Sequence, residues 1–228
     1  MIRAILFDMG GTLDGDGLHW LDRFVALYEN SGLKLPREKI RAAFDEAERQ
    51  SLQDEDILTA DFAQMIAEHV RWQFAYLELD DHALAQQIVE GFIAPVRAAV
   101  VANAQLLAEL AARGFALGVA SNGCGNVDKL CADFGFAPYL AAIVDSRRVG
   151  LCKPDPAFFF HAAKAIRAAP ETIVMVGDSF ERDVRPAKLA GMKTAWLEGA
   201  SARECSDPSL IDFRLRKLAD LPAALSAA

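Results

Sequence analysis

The chain has 228 residues, of which 24 are Lys or Arg and 32 are Asp or Glu, so its formal net charge is −8. The hydrophobic fraction of 53% is enough for a sizeable buried core. An acidic chain of this kind lacks the basic face that nucleic-acid binding requires, so we expect no nucleic-acid partner.

The residue pattern also predicts a protein that works inside the cell, away from membranes. We expect no bilayer span, since no apolar run looks long enough and clean enough, and we see no export signal. The four cysteines, Cys124, Cys131, Cys152 and Cys205, show no paired C-x-x-C spacing. This indicates reduced cysteines of a cytoplasmic protein rather than a disulfide framework or a zinc site.

The first predicted element is an apolar run over residues 2–7 that ends in the carboxylate of Asp8. Large apolar residues bounded by turn residues, here Gly10 and Gly11, are typical of a buried parallel strand. The carboxyl end of such a strand places Asp8 on a loop, where open α/β sheets bind ligands. A carboxylate buried alone is destabilising, so Asp8 is expected to have a cation or hydrogen-bond donors beside it.

Residues 15–94 interrupt the strand pattern with a helical insert. After the flexible Gly15-Asp16-Gly17 joint, four apolar stripes at helical spacing predict four amphipathic helices packed as a small bundle. The fourth is predicted from about residue 80 to residue 92. The insert holds seven basic and sixteen acidic side chains, a net charge of −9, so the rest of the chain is close to neutral. Its histidines His69 and His82 lack partners at metal or triad spacing and are interpreted as ordinary helix residues.

From residue 95 onward, predicted strands alternate with helices that end at glycines, beginning with a helix over residues 103–113. This alternation indicates βαβ units around a parallel sheet, so the predicted fold class is α/β. Carboxyl ends of parallel strands lie at one edge of the sheet, so polar residues at those ends are expected to converge. Four polar clusters lie at the carboxyl end of a predicted strand or at the start of a predicted helix. They are Asp8 to Thr12, Ser121 with Asn122, Lys153, and Asp178 to Asp183.

The order and chemistry of these four clusters resemble the haloacid dehalogenase-like hydrolase superfamily. The resemblance covers the whole chain, and the helical insert takes the place of a cap between the family's first and second motifs. It implies a Rossmann-like sheet core, residues 1–14 and 95–228, that carries a helical-bundle cap domain, residues 15–94. The implied activity is a hydrolase, most often a phosphatase acting on a small phosphorylated molecule.

The resemblance implies a role in phosphoryl transfer for most of the polar residues. Asp8 would attack phosphorus and form an aspartyl-phosphate, which divides hydrolysis into two easier steps. Lys153 would neutralise charge on Asp8 and on the phosphoryl oxygens. Hydroxyl and amide groups of Thr12, Ser121 and Asn122 would hold those oxygens.

The same resemblance implies a magnesium ion beside the nucleophile. The carboxylates of Asp8, Asp178 and Asp183 and the backbone carbonyl of Gly10 would be its protein ligands. Mg²⁺ takes hard oxygen ligands and keeps several waters, which suits a few carboxylates together with a substrate phosphate.

Gly10 departs from the pattern of the family's phosphatases, in which the residue two after the nucleophile is usually a second aspartate that acts as general acid and base. General acid–base help is typically worth 10²–10⁴-fold in rate, so activated esters or anhydrides would suffer least from its loss. Asp14, Asp16 and His19, on the joint after the first strand, are candidate substitute acids.

Three functions therefore stay open at this point. One is a weak or selective phosphatase. Another is a hydrolase of a carbon–halogen or carbon–phosphorus bond, since dehalogenase-like and phosphonate-hydrolysing members also lack this aspartate. The last is a member that binds metal and ligand without turnover. The acidic loop between Gly177 and Asp183 resembles a magnesium loop and favours the phosphatase over a dehalogenase.

Overall fold

The computed structural model of the protein describes residues 1–200 and 203–226. Within these residues, six parallel strands form one sheet in the order β3-β2-β1-β4-β5-β6. The strands are β1 (Ala4–Phe7), β2 (Ala116–Ser121), β3 (Leu140–Asp145), β4 (Ile173–Gly177), β5 (Lys193–Leu197) and β6 (Phe213–Leu215). This is the strand order of a Rossmann-like doubly wound sheet, so the predicted α/β fold class is confirmed.

The central strand β1 is buried on both faces of the sheet. Ile5 and Phe7 belong to the main core cluster on one face, whereas Ala4 and Leu6 pack in a second cluster on the other face. Alternate side chains of a strand point to opposite faces, and helices cover both faces of a parallel sheet. Asp8 is the first residue beyond this strand, so the packing of β1 fixes its position at the sheet edge.

Helices cover the sheet and build the insert between β1 and β2. In the described part of the chain they are α1 (Trp20–Asn30), α2 (Arg37–Ser51), α3 (Phe62–Leu77), α4 (His82–Ala112), α5 (Val127–Asp133), α6 (Ser146–Val149), α7 (Pro156–Ala165), α8 (Arg185–Leu189) and α9 (Leu221–Ser226). The main core cluster continues from the sheet into the insert, where it includes Phe24, Phe44 and Phe92. The division into a core (1–14 and 95–228) and a cap (15–94) stays a prediction.

The predicted break between a helix ending at residue 92 and one starting at residue 103 is wrong. α4 is one helix from His82 to Ala112, with Pro95 inside it. An interior proline removes one hydrogen bond and typically destabilises a helix by about 3 kcal/mol. Phe92, Val96 and Val100 lie on one helical face and are buried in the main core cluster. Burial of each such side chain contributes about 1.5–3 kcal/mol, so packing outweighs the proline.

By length and composition alone, α4 is long and apolar enough to cross a membrane. The prediction of two shorter helices in this segment hid its full apolar length. The buried residues of α4, among them Leu106, Leu107 and Leu110, pack into the main core cluster. Since core helices of globular proteins pass the same test, this is weak evidence for a membrane span.

Candidate active site

Three carboxylates meet at the carboxyl ends of the neighbouring strands β1 and β4. The two strands pair in parallel with Phe7 opposite Val176, so Asp8 and Asp178 leave the sheet close to each other. Asp183 follows in the helical turn after β4. Asp8, Asp178 and Asp183 each offer an oxygen atom within 4.8 Å of the other two, and all three residues are buried. The structure therefore brings the first and last of the four polar clusters together.

Lys153 connects two of these carboxylates. Its Nζ atom donates hydrogen bonds to Asp8 Oδ1 at 2.5 Å and to Asp183 Oδ1 at 2.7 Å, and the side chain is 3% exposed. Burial opposes the charged form, but the carboxylates of Asp183 and Asp8 outweigh it and raise the pKa of Lys153. Because both acceptors are ionisable, Lys153 is held as an ammonium directly beside the predicted nucleophile.

The donor set fits a divalent cation. Burial, together with the negative charges of Asp8 and Asp183, raises the pKa of Asp178 well above its usual range. The Oδ2 atom of Asp178 is buried and has no hydrogen-bond partner among the described residues. Burial also raises the pKa of Asp183, although Lys153 opposes this shift. Three buried carboxylates beside one ammonium leave an excess of negative charge that a cation with a preference for hard oxygens would neutralise.

Two glycines let the loops after β1 and β4 approach this closely. Gly11 has φ +87°, and a Cβ atom there would lie 2.9 Å from the carboxyl group of Asp178. A Cβ atom on Gly177 would lie 2.3 Å from the carboxyl carbon of Asp183. Any larger residue at either position would push the carboxylates apart, so the glycines of these motifs are required by the packing of the site.

The three predicted substrate-binding residues have different environments. Ser121, at the end of β2, lines the cavity beside Asp8. Asn122 also lines it, but its amide group pairs with the backbone of Lys153, donating to the carbonyl at 2.9 Å and accepting from the N–H at 2.8 Å. Thr12 is fully buried, and its hydroxyl accepts a hydrogen bond from the Asp178 N–H at 3.1 Å. In this arrangement Asn122 positions Lys153, and Thr12 joins two loops without lining the cavity, so a contact between Thr12 and substrate stays a prediction.

Two of the three candidate substitute acids are occupied elsewhere. The carboxylate of Asp14 accepts hydrogen bonds from the Gly11 N–H at 2.6 Å, from Trp20 Nε1 at 2.5 Å and from Arg23 at 2.9 Å. Burial raises the pKa of Asp14, although Arg23 opposes the shift. Asp16 caps a distant segment, since its Oδ1 atom accepts a hydrogen bond from the Leu218 N–H at 3.0 Å. Neither carboxyl group is held toward the cavity.

His19 lines the cavity, but its ring faces two donors. Its Nδ1 atom accepts a hydrogen bond from the Leu21 N–H at 3.2 Å, and its Nε2 atom contacts the guanidinium of Arg182. Burial and the charge of Arg182 lower the pKa of His19. Both ring nitrogen atoms are engaged by groups of the protein, so neither is directed at a leaving group and His19 does not serve as the missing acid in this arrangement.

The space beside Gly10 is occupied by an indole ring. Gly10 lines the cavity, and a Cβ atom there would lie 3.3 Å from Trp20 Nε1. That indole N–H donates to Asp14, which is in turn paired with the buried side chain of Arg23. Sequence reasoning missed this arrangement, because the only signal was an aspartate and an aromatic residue six positions apart.

The cavity, of about 110 Å³, lies between the sheet edge and the helical insert. Asp8, Lys153, Asp178 and Asp183 line it from the sheet edge, and side chains of α2 and α3 line it from the insert. A cavity of this size suits a phosphoryl group with a small leaving group. The insert and the turn after β4 also contribute lining residues that were not singled out from the sequence. They are Phe44, Glu48, Ser51, Met65 and Arg182. His69, which was interpreted as an ordinary helix residue, lines the cavity as well.

Comparison with known proteins agrees with the chemistry of the site. The chain is 39% identical over 93 residues to a phosphoserine phosphatase of Thermus thermophilus, a match that covers 40% of this chain and 37% of the relative. It is 32% identical over 117 residues to a glyceraldehyde 3-phosphate phosphatase of Methanocaldococcus jannaschii, covering 50% of this chain and 51% of the relative. The aligned part thus spans about two fifths to one half of these relatives.

Solved structures of similar fold cover the whole chain. The L-2-haloacid dehalogenase of Xanthobacter autotrophicus aligns with a TM-score of 0.61 and 18% identity over 99% of both chains, which shows a shared fold. A family model described as haloacid dehalogenase-like hydrolase matches residues 2–191. Because this match extends over most of the sequence, the chain belongs to the haloacid dehalogenase-like hydrolases.

Proposed function

We propose that this hydrolase is a magnesium-dependent phosphatase that removes the phosphoryl group of a small phosphate ester through an aspartyl-phosphate on Asp8. The observation that carries the proposal is the contact of Lys153 Nζ with Asp8 Oδ1 beside the buried carboxylates of Asp178 and Asp183. Such a site pairs a nucleophile with the positive charge needed to bring two anions together. The names of the two phosphatase relatives support a phosphate ester as substrate.

Each residue of the site would have a separate role in this reaction. The second oxygen of Asp8 accepts no hydrogen bond from the described residues, so it is available to attack phosphorus while Lys153 holds the first. A bond forms between that oxygen and phosphorus, the bond to the leaving oxygen breaks, and water later hydrolyses the acyl phosphate to regenerate Asp8. Asp8, Asp178, Asp183 and the Gly10 carbonyl would hold Mg²⁺, which supplies positive charge at the phosphoryl oxygens when it is bound.

The leaving group would depart without help from a positioned acid. Gly10 provides no carboxyl group, Asp14 is bonded to Trp20 and Arg23, and both ring nitrogens of His19 face donors. The rate of the first step should therefore depend strongly on the acidity of the leaving alcohol. We expect p-nitrophenyl phosphate to react much faster than an alkyl phosphate that fits the same cavity.

The test is phosphate release from p-nitrophenyl phosphate with and without Mg²⁺. We expect activity that EDTA abolishes, and a loss of roughly a thousandfold or more in kcat for Asp8→Asn, because that change removes the nucleophile and keeps the size of the side chain. Asp45→Asn, at an exposed position of α2, is the matched control. Wild-type activity in Asp8→Asn would refute the covalent mechanism.

A hydrolase of a carbon–halogen bond is the alternative that Gly10 keeps open. The same nucleophile and lysine could displace halide without a metal, but the orphaned Oδ2 atom of Asp178 then has no explanation. Release of halide from a 2-haloacid in the presence of EDTA would favour this alternative. Magnesium binding without turnover of esters, anhydrides, phosphonates or haloacids would favour a ligand-binding member instead.

The proposal extends to the cellular setting of the enzyme. Cys124, Cys131, Cys152 and Cys205 are all free, which fits the reducing cytoplasm. The partner would be a small phosphorylated molecule, and neither nucleic acid nor a membrane is expected, because the excess negative charge lies on the insert that faces the substrate.

A further inference from the structure

One face of α2 lines the same cavity as the predicted nucleophile Asp8. Phe44, Glu48 and Ser51 all line the cavity, and their spacing of four and then three residues places them on one helical face. Met65 and His69 of α3, four residues apart, line the adjacent wall. The insert therefore presents an ordered set of side chains to whatever group is attached to the phosphate.

Glu48 is the carboxylate in this wall, and it is held in place. Its Oε1 atom lies 3.1 Å from His69 Nε2, and His69 Nδ1 lies 2.8 Å from the amide nitrogen of Gln73. With the amide nitrogen assigned as the donor to Nδ1, the neutral ring carries its proton on Nε2, and this tautomer donates to Glu48. His69 and Gln73 are both buried, so Glu48 is fixed by side chains that have little freedom of their own.

One oxygen of Glu48 is left for a ligand. Oε2 accepts no hydrogen bond within residues 1–200 and 203–226, and the side chain is 42% exposed while it lines the cavity. Burial opposes its ionisation, but the hydrogen bond from His69 and the positive charge of Arg182 outweigh burial and lower the pKa of Glu48. The wall therefore offers an ionised oxygen to the cavity.

The surroundings of this oxygen suit an organic cation. The rings of Trp20 and Phe44 line the same cavity as Glu48, and a carboxylate beside aromatic rings stabilises an ammonium group by charge and by cation–π attraction. Arg182 also lines the cavity, and its positive charge favours ionisation of Asp178 as well as of Glu48. Glu48 comes from the insert, whereas the predicted phosphoryl site lies at the sheet edge, so Glu48 is available to the group attached to the phosphate.

Building on the phosphatase activity proposed above, we infer that Glu48, positioned by His69, selects the leaving group and favours a small alcohol that carries a protonated amine. An ammonium group would donate a hydrogen bond to Glu48 Oε2 and pair with its charge. A leaving group with a carboxylate at the same place would be repelled, and an apolar one would leave Glu48 without a partner.

The test compares O-phosphoethanolamine with n-propyl phosphate, which has the same length and lacks the charge. We expect the wild-type kcat/KM to be roughly tenfold to a hundredfold higher for O-phosphoethanolamine, because a hydrogen bond to a charged group typically contributes a factor of this size. Glu48→Gln keeps an acceptor for His69 and should bring the ratio close to one. Asp45→Asn, on the exposed face of the same helix, should keep the wild-type ratio.

A binding measurement separates this inference from the proposed activity. The dissociation constants of both esters are measured by calorimetry on Asp8→Asn, which cannot turn them over, with and without Glu48→Gln. Preferential binding of O-phosphoethanolamine that Glu48→Gln removes supports the inference, even if the wild-type protein hydrolyses no phosphate ester. Equal dissociation constants and equal kcat/KM values for the two esters overturn it, even if p-nitrophenyl phosphate is hydrolysed.

Discussion

The excess negative charge at the sheet edge predicts that the stability of the protein is linked to divalent cations. Asp8, Asp178 and Asp183 place oxygens within 4.8 Å of one another, and Lys153 neutralises only part of their charge. At an effective dielectric constant of 20, two unit charges 4.8 Å apart repel by about 3.5 kcal/mol. Asp178, whose Oδ2 atom has no partner among the described residues, is the carboxylate to test.

Two opposite changes in melting temperature are expected. Mg²⁺ at about one hundred times its dissociation constant should stabilise the wild-type protein by about 2.7 kcal/mol, or roughly 5–10 °C for a chain of this size. Asp178→Asn should raise the melting temperature in EDTA by up to a similar amount, since it removes repulsion, and should abolish the response to Mg²⁺. Glu171→Gln, at an exposed position of the sheet domain, is the control and should change neither value.

The sign of the pH dependence follows from the pKa of Asp178, which is raised above 3.8. The folded state holds this proton more tightly than the unfolded state. The contribution to stability is therefore fully present below pH 3.8 and is lost as the pH rises through the folded pKa. Because the cation competes with the proton, the gain from Mg²⁺ should grow over the same window. Differential scanning fluorimetry in EDTA and in Mg²⁺ measures both effects, and a wild-type melting temperature indifferent to Mg²⁺ at every pH refutes the reasoning.

Two further predictions concern the residues around Gly10. Gly10→Asp alone should give little or no gain in turnover of alkyl phosphates, since the new Cβ atom meets Trp20 at 3.3 Å. Gly10→Asp combined with Trp20→Ala should raise it tenfold or more; steady-state kinetics decide, and a full gain in the single variant contradicts the steric argument. Arg23→Met should lower the free energy of unfolding by roughly 3–5 kcal/mol, because it leaves the carboxylate of Asp14 buried without its cation. Urea unfolding measures this, and a loss below about 1 kcal/mol would show that Asp14 does not depend on Arg23.

The convergence of the site could be predicted because it depends on sheet geometry alone. Asp8 and Asp178 follow buried strands, and parallel strands bring their carboxyl ends to one edge. Lys153 was predicted to reach the same edge from a helix entrance, and its Nζ atom lies 2.5 Å from Asp8 Oδ1. Functional residues that follow buried strands can therefore be recognised from the sequence.

Contacts that depend on tertiary packing could not be predicted. The sequence places Asn122 after a strand, but its pairing with the backbone of Lys153 spans 31 positions. α4 continues through Pro95 because apolar residues on one of its faces are buried in the core, and no local signal reports that burial. Glu48 lies on an amphipathic helix among other acidic residues, and only the packing of α2 against α3 shows that it lines the cavity.

The absence of an acid at position 10 is part of the packing of this protein rather than an isolated substitution. The indole of Trp20 occupies the space that a larger residue would need, Asp14 accepts the indole N–H, and Arg23 neutralises Asp14 in a buried pair. A Cβ atom at position 10 would require the indole to shift by a few tenths of an ångström, and this shift would weaken the hydrogen bond from Trp20 to Asp14. Under the proposed mechanism, the rate would come from charge neutralisation by Lys153 and from binding of the leaving group. The choice of substrate would then depend on the side chains of α2 that line the cavity, and Glu48 is the ionised one among them.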